Sequence, residues 1–319
     1  MKISRLFSLV GIFLFVYILA NIDIVETLHI LSKADIFLIF LSLLIVFLSV
    51  IIKSLKWKML ISIYDKEYSL KSATKAWLMG FSLSMMTPAR IGDLSRAYYA
   101  KHRIGIGKSL TTVIIDRVID IAILFCLAIV GLISFVAFFT QHTGLFFVIS
   151  VFFVVFLFGV YITTKKEVVK MFLKPVFKRF VPEKHKSNIN VTFHDFYSGL
   201  GSLKKNRKKV FYAVILGVLV WIASVFQYFI LSMSIGLDVS FLFLFSVVPI
   251  VTLLDMLPVS FSGIGTRDAA LILFFSFISV GKEYAISLSL LVLFIGYVPA
   301  GLMGAAFLLK GEQNAMAKG

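Results

Sequence analysis

Met86-Thr87-Pro88-Ala89-Arg90-Ile91-Gly92-Asp93 interrupts one apolar run, and Leu257-Pro258-Val259-Ser260-Phe261-Ser262-Gly263-Ile264-Gly265-Thr266-Arg267-Asp268 interrupts another. Each break combines a proline, an Ile-Gly pair, an arginine and an aspartate, and each is followed by a return to helical patterning. Pro88 and Pro258 withhold the N–H that a continuing helix needs. Gly92, Gly263 and Gly265 permit tight backbone turns. The apolar stretches beside them, 76–88 and 269–280, fall short of the roughly 20 residues that a helix needs to cross a hydrocarbon core of about 30 Å. Run 241–257 also carries Pro249.

Outward from the breaks, six longer runs can span: 6–22, 36–52, 109–139, 145–161, 210–235 and 284–309. The first reads as a span rather than a signal peptide, because Leu19-Ala20-Asn21 is a poor cleavage site. Lysine and arginine set the orientation. Lys33 stands against Asp23, Glu26 and Asp35 between the first two runs, whereas 53–75 carries six lysines against Asp65 and Glu67. Arg90, Arg96, Lys101, Arg103 and Lys108 face only Asp93 in 89–108, and 165–209 holds thirteen Lys/Arg against Glu167, Glu183 and Asp195. These basic segments belong in the cytoplasm. The charge-poor connectors 141–144, 236–240 and 281–283 belong outside. The topology closes if 76–88 enters from the cytoplasm and returns to it, while 241–257 and 269–280 enter from outside and return there. Both termini are then cytoplasmic. The expected fold is an all-α polytopic membrane protein of the cell membrane: one domain over 1–319, with about six full spans and two re-entrant or broken-helix hairpins (about 76–101 and 241–280) forming an inverted repeat.

Composition agrees. Hydrophobic residues make up 60% and charged residues 15%, and the mean hydropathy is +1.00. Soluble domains average about 45–50% apolar and about 25% charged, so a soluble fold is excluded, and 34 phenylalanines exclude disorder. The net charge of +16 is mostly a topology signal, not a nucleic-acid footprint. The basic loop 165–209 suits anionic lipid headgroups, each basic residue near the surface contributing about 1 kcal/mol. Cys126 is the single cysteine, so no intramolecular disulfide forms. No Cys/His cluster suggests a metal, and no cofactor is expected. Arg103 to Ser109 ends like a phosphate loop, but His102 stands where its first glycine is needed.

Non-helical backbone at membrane depth survives only when it is buried in protein or lines a polar cavity, so the two breaks are where a site is expected. Helices restarting there point N–H groups inward and favour an anion. Arg90 and Arg267 add bidentate donors suited to phosphate. The plainer alternative is a pair of loops with Arg and Asp in water. Asp116 and Asp120 share a helix face, and Arg117 is close enough to pair with Asp120. They lie either in the membrane or at its cytoplasmic interface, since 121–139 alone could span. Asp255, flanked by apolar residues, is a candidate for taking up a proton, binding a cation or balancing charge, or simply for bonding backbone freed near Pro258. Gly296, Ala300 and Gly304 make a small-residue face for close helix packing, and Pro299 should kink the same helix. Trp57 and Trp77 suit an interfacial belt.

Three segments carry a family resemblance. Residues 88–98, Pro-Ala-Arg-Ile-Gly-Asp-Leu-Ser-Arg-Ala-Tyr, resemble the pattern Pro-Gly-Arg-x-Gly-Glu-x-x-Arg. Asp116-Arg117-Val118-Ile119-Asp120 resembles Glu-Arg-x-x-Asp, and 257–269 resembles Pro-x-Ser-x-Gly-Gly-x-Gly-x-Arg-Glu. In this order they look like the flippase-like transmembrane family named for lysylphosphatidylglycerol synthase, over nearly the whole chain. The resemblance implies an integral membrane protein that moves lipids between leaflets, with members tied to aminoacylated phosphatidylglycerol, hopanoids or polyprenyl-linked sugars. It implies roles for Arg90, Asp93, Arg96, Arg117, Asp120, Arg267 and Asp268, and Ser260 lies within the third motif. Aspartate replaces the usual glutamate at 93, 116 and 268, shortening each reach by one methylene, and Ser262 replaces a glycine. The synthase's aminoacyl-transfer domain has no counterpart here, so its activity is not expected.

The function expected is therefore a lipid translocator, not an enzyme. Its headgroup phosphate is held by Arg90, Arg117 or Arg267, with Asp93, Asp255 and Asp268 balancing charge. The competing readings are a membrane-embedded lipid enzyme and a transporter of a small anion. Asp116-x-x-x-Asp120 lacks the rest of the CDP-alcohol transferase pattern. The oligomeric state is not legible.

Overall fold

A computed structural model describes residues 16–18, 20–138, 151, 153–155, 157–158, 161, 186–256 and 262–316. Pro258 and Ser260 lie outside these residues, as do most of runs 6–22 and 145–161. The elements are α1 (Ile24–Ser32), α2 (Ile36–Ile61), α3 (Leu70–Met85), a 3₁₀ segment (Pro88–Ser95), α4 (Arg96–Ile104), α5 (Ile106–Phe138), α6 (Lys186–Lys205), α7 (Arg207–Ser234), α8 (Phe241–Asp255), α9 (Thr266–Ser276), α10 (Lys282–Leu291), a π-helical segment (Val292–Tyr297) and α11 (Val298–Met316). Every regular element among the described residues is helical, as composition requires. Among the described residues, three helical runs are long and apolar enough to cross a membrane: Ile36–Ile61, Arg207–Ser234 and Lys282–Lys310.

Local chemistry sets the helix starts. Asp35 caps α2, its carboxylate accepting from the N–H groups of Phe37 (2.8 Å) and Leu38 (3.3 Å). Ser69 caps α3 and Ser240 caps α8 in the same way. The outer face of α2 exposes Ile36, Phe37, Phe40, Leu44 and Leu48, a surface suited to lipid.

Three boundaries differ from the sequence expectation. The second run ends not at 52 but at Ile61, because 53–61 contains no glycine or proline and its inward residues find partners. Lys53 and Lys56 therefore belong to a helix and not to a cytoplasmic loop. Helix α3 starts at Leu70, six residues before the apolar stretch, because Ser69 supplies the cap. The basic stretch 165–209 contains α6, whose Gly199 lies against Thr111 of α5 and whose Gly199 carbonyl accepts from Tyr64 Oη at 2.8 Å.

The long helices pair as α2 with α7, α5 with α8, and α11 with α3. Gly304 of α11 lies directly on the Leu78 carbonyl, Gly301 lies on the Met85 sulfur, and Gly131 of α5 lies on the Ser246 backbone. A Cβ at Gly304 or Gly131 has no room because backbone lies against it, whereas at Gly301 the flexible end of Met85 would have to give. The face expected from Gly296, Ala300 and Gly304 is thus a packing face. Each short helix beside a break, α3 and α8, packs against a helix from the other half of the chain, α11 and α5 respectively. The ring of Pro299 crowds the carbonyl one turn before it, and the preceding residues, Val292–Tyr297, widen into a π-helix. Trp57 and Trp77 are buried instead of forming an interfacial belt: Trp57 lies beneath Arg96, and Trp77 stacks on Phe81.

Candidate functional site

The first break turns on its own side chains. Thr87 is extended (φ −122°, ψ 138°), as a residue before proline must be. Its hydroxyl accepts from the Gly92 N–H at 2.8 Å. Gly92 presses on the backbone of Leu83 and Ser84, where no Cβ fits. Arg90 adopts a left-handed φ of 53°, an uncommon state for a residue with a side chain. At the second break Ser262 (φ 50°), Gly263 (φ 79°) and Gly265 (φ 87°) are all left-handed. Gly263 sits over the Asp255 carboxylate. Asp268 accepts from the Gly265 N–H at 2.8 Å and so caps α9 itself. The inward N–H groups that the sequence suggested for an anion are in part satisfied by the chain's own Thr87 and Asp268. A guest is then left to cationic side chains rather than to free backbone.

The breaks meet. Ser262 Oγ donates to the Met85 carbonyl at 3.1 Å, joining the second break to the end of α3. Arg90 Nη2 is 3.9 Å from Asp255 Oδ2. The guanidinium carbons of Arg90 and Arg267 lie 5.1 and 5.4 Å from the centre of the Tyr297 ring, and Tyr297 Oη donates to Asp255 at 3.3 Å. Arg267 Nε donates to Ser289 Oγ at 2.8 Å and its Nη1 to the Ser262 carbonyl at 3.3 Å. The Ser289 hydroxyl donates to Asp268.

The other predicted residues gather in a second cluster. Lys56 Nζ lies 2.9 Å from Asp116 Oδ1 and 2.5 Å from Asp120 Oδ1. Arg96 Nη2 donates to Asp93 Oδ2 (2.7 Å) and Asp116 Oδ2 (2.8 Å). Arg117 pairs with Asp93 rather than with Asp120, and Trp221 Nε1 donates to Asp120 at 3.0 Å. Arg96 has no exposed side-chain surface, whereas Arg117 retains 25%. Three cations thus face three carboxylates and tie α2, the 3₁₀ segment, α4 and α5 together, with Trp221 adding α7. Asp116 and Asp120 are buried inside the protein.

Between the two clusters lies a cavity of about 50 Å³, room for a few waters or one small polar group. Lys53 and Arg90 are its charged lining, with Trp77, Phe81, Trp221 and Tyr297 as aromatic walls. Lys53 Nζ stands 5.4 Å from the Trp77 ring and 5.6 Å from the Trp221 ring. Gln227 also lines the cavity, and its Nε2 has no hydrogen-bond partner among the described residues.

The residues not anticipated from the sequence are Lys53, Lys56, Trp221, Gln227 and Tyr297. Lys53, Lys56 and Trp57 did carry a signal. They continue the helical period of an apolar run, so two lysines three apart share a face with a tryptophan. Gln227 and Tyr297 carried none beyond being polar within apolar helices.

Comparison with known proteins agrees with this picture. A UPF0104 membrane protein of Methanocaldococcus jannaschii is 26% identical over 317 residues, covering 94% of this chain and 93% of its own. Others from Methanothermobacter thermautotrophicus and Pyrococcus horikoshii are each 22% identical, covering 86% and 97% of this chain and the same shares of their own. The family described as the lysylphosphatidylglycerol synthase TM region matches residues 4–304. With that match running from the first apolar run to the small-residue face of α11, this chain is a membrane protein belonging to the lysylphosphatidylglycerol synthase TM region family.

Proposed function

We propose that the protein is a flippase-like lipid translocator of the cell membrane, moving an anionic phospholipid or a polyprenyl-phosphate-linked lipid between leaflets. One observation carries this reading: two interrupted helices meet beside a cavity whose charged lining is cationic. Helices α3 and α8, with 16 and 15 residues, reach about 24 and 22 Å at 1.5 Å per residue, short of a core of about 30 Å. They act as re-entrant elements from opposite leaflets within a frame of six spans, both termini being cytoplasmic. The headgroup phosphate is held from the Arg90 side of the cavity, with Arg267 behind it against the same Tyr297 ring. Asp255 and Asp268 balance these charges when the site is empty, and Ser260 belongs to the same turn by sequence. Asp93, Arg96, Asp116, Arg117 and Asp120 form a closed network on the other side of the cavity, and its rearrangement would accompany passage of the headgroup. Basic residues of 165–209 hold the protein against anionic headgroups. With no nucleotide motif to drive it, transport runs downhill or couples to an ion, with Asp255 as the buried group able to take a proton.

The size of the cavity favours one second reading, a transporter of a small anion. Reconstitution separates the two. Vesicles containing the purified protein should exchange a labelled anionic phospholipid between leaflets faster than empty vesicles, and Arg90→Ala or Arg267→Ala should slow exchange at least about tenfold, the equivalent of one charge-assisted contact. Uptake of a small anion with no lipid exchange would favour the second reading and overturn the first.

A further inference from the structure

We infer that Lys53 is the phosphate anchor of the cavity and that it selects a headgroup carrying one net negative charge, a phosphodiester. That the guest is a lipid rests on the translocator reading; the anchor does not.

Counting the charges around the cavity leads to Lys53. With all groups ionised, Lys56, Arg96 and Arg117 offset Asp93, Asp116 and Asp120. Arg90 and Arg267 offset Asp255 and Asp268, which lie in the same contact network. Lys53 is left over. It lines the cavity, yet no carboxylate oxygen among the described residues lies within 4 Å of its ammonium, and the faces of Trp77 and Trp221 are its neighbours. Lys53 is partly exposed, but an ammonium set among apolar and aromatic side chains with no carboxylate beside it is still costly. Two indole faces return only part of that cost. A phosphate oxygen returns more.

The same cavity supplies Arg90, held 3.9 Å from Asp255 and so only loosely engaged, and the unpartnered amide of Gln227. Three donor side chains therefore converge on a space of about 50 Å³, from three elements that do not adjoin in sequence. A guest with one negative charge brings the interior to neutrality. A dianionic phosphomonoester leaves one excess negative charge, and a zwitterionic headgroup leaves Lys53 uncompensated. The aromatic walls suit the apolar glycerol or isoprenoid part that follows the phosphate.

Tryptophan emission of the purified full chain in a non-ionic detergent provides the readout, since Trp77 and Trp221, two of the three tryptophans, flank Lys53. Dioctanoyl phosphatidylglycerol should bind at least about tenfold more tightly than dioctanoyl phosphatidylcholine, and dioctanoyl phosphatidic acid no more tightly than the glycerol lipid at a pH where it is doubly charged. Lys53→Met should reduce the preference for phosphatidylglycerol to about threefold or less, while Lys53→Arg, which keeps the charge, should retain it. Loss of preference in both variants would show a merely structural lysine and overturn the assignment, as would an undiminished preference in Lys53→Met. Displacement by inorganic phosphate at the concentrations where the lipid acts would assign the site to a free anion and overturn the lipid half of the inference. Leaflet exchange is read separately. Exchange with an unaltered preference in Lys53→Met refutes the anchor and keeps the translocator; Lys53-dependent binding without exchange does the reverse.

Discussion

Lys53 and Lys56 stand one helical turn apart, and their surroundings give them opposite roles. Lys56 is buried between Asp116 and Asp120, whereas Lys53 faces a cavity and two indole rings. Removing one partner of a buried ion pair leaves an unpaired charge behind and costs about 3–5 kcal/mol. Lys56→Met, which leaves two carboxylates facing each other, should destabilise the protein by that order, seen as a clear fall in the unfolding temperature of the detergent-solubilised chain. Both lysines follow an apolar run, so counting charge along the sequence places them in a loop. Only the continuation of α2 to Ile61 shows Lys56 to be buried and Lys53 to line a cavity.

Among the elements, the breaks and the glycine contacts were the most legible in the sequence. Proline and paired glycines mark the breaks whatever surrounds them, because their effect is on the backbone alone. The small-residue face of α11 was readable by its spacing, but its partner was not, since nothing in 296–304 points to Leu78 on α3. Gly304→Val should cost about 1–3 kcal/mol by forcing α11 off α3, measurable as a lower unfolding temperature with no loss of helical circular dichroism at low temperature. Outside the spans, Arg103 Nε donates to Asp65 Oδ2 at 2.7 Å and holds that carboxyl below its ordinary value of 3.8. A depressed carboxyl pKa stabilises the fold above the unfolded value and loses that contribution as pH falls through the folded one. The gap in unfolding temperature between the parent and Asp65→Asn should therefore be present at pH 7 and close below pH 3.8. The pairing of individual acids was not legible. Arg117 lies three residues from Asp120 but bonds to Asp93, because the 3₁₀ segment brings Asp93 across to α5.

At the scale of the whole molecule, the breaks are more than 160 residues apart in sequence, and each contributes a left-handed residue, an arginine and an aspartate. They meet beside one cavity, and Arg90 with Asp255 is the charged contact that crosses from one break to the other. Leaflet exchange of a labelled phospholipid, measured in vesicles for Arg90→Asp, Asp255→Arg and the two combined, tests that meeting in the working protein. Each single change should slow exchange by about tenfold or more, since it places like charges opposite each other in a low-dielectric site, and the exchanged pair should recover a substantial part of the parent rate. A double variant that folds like the parent yet is no faster than either single variant would contradict the account.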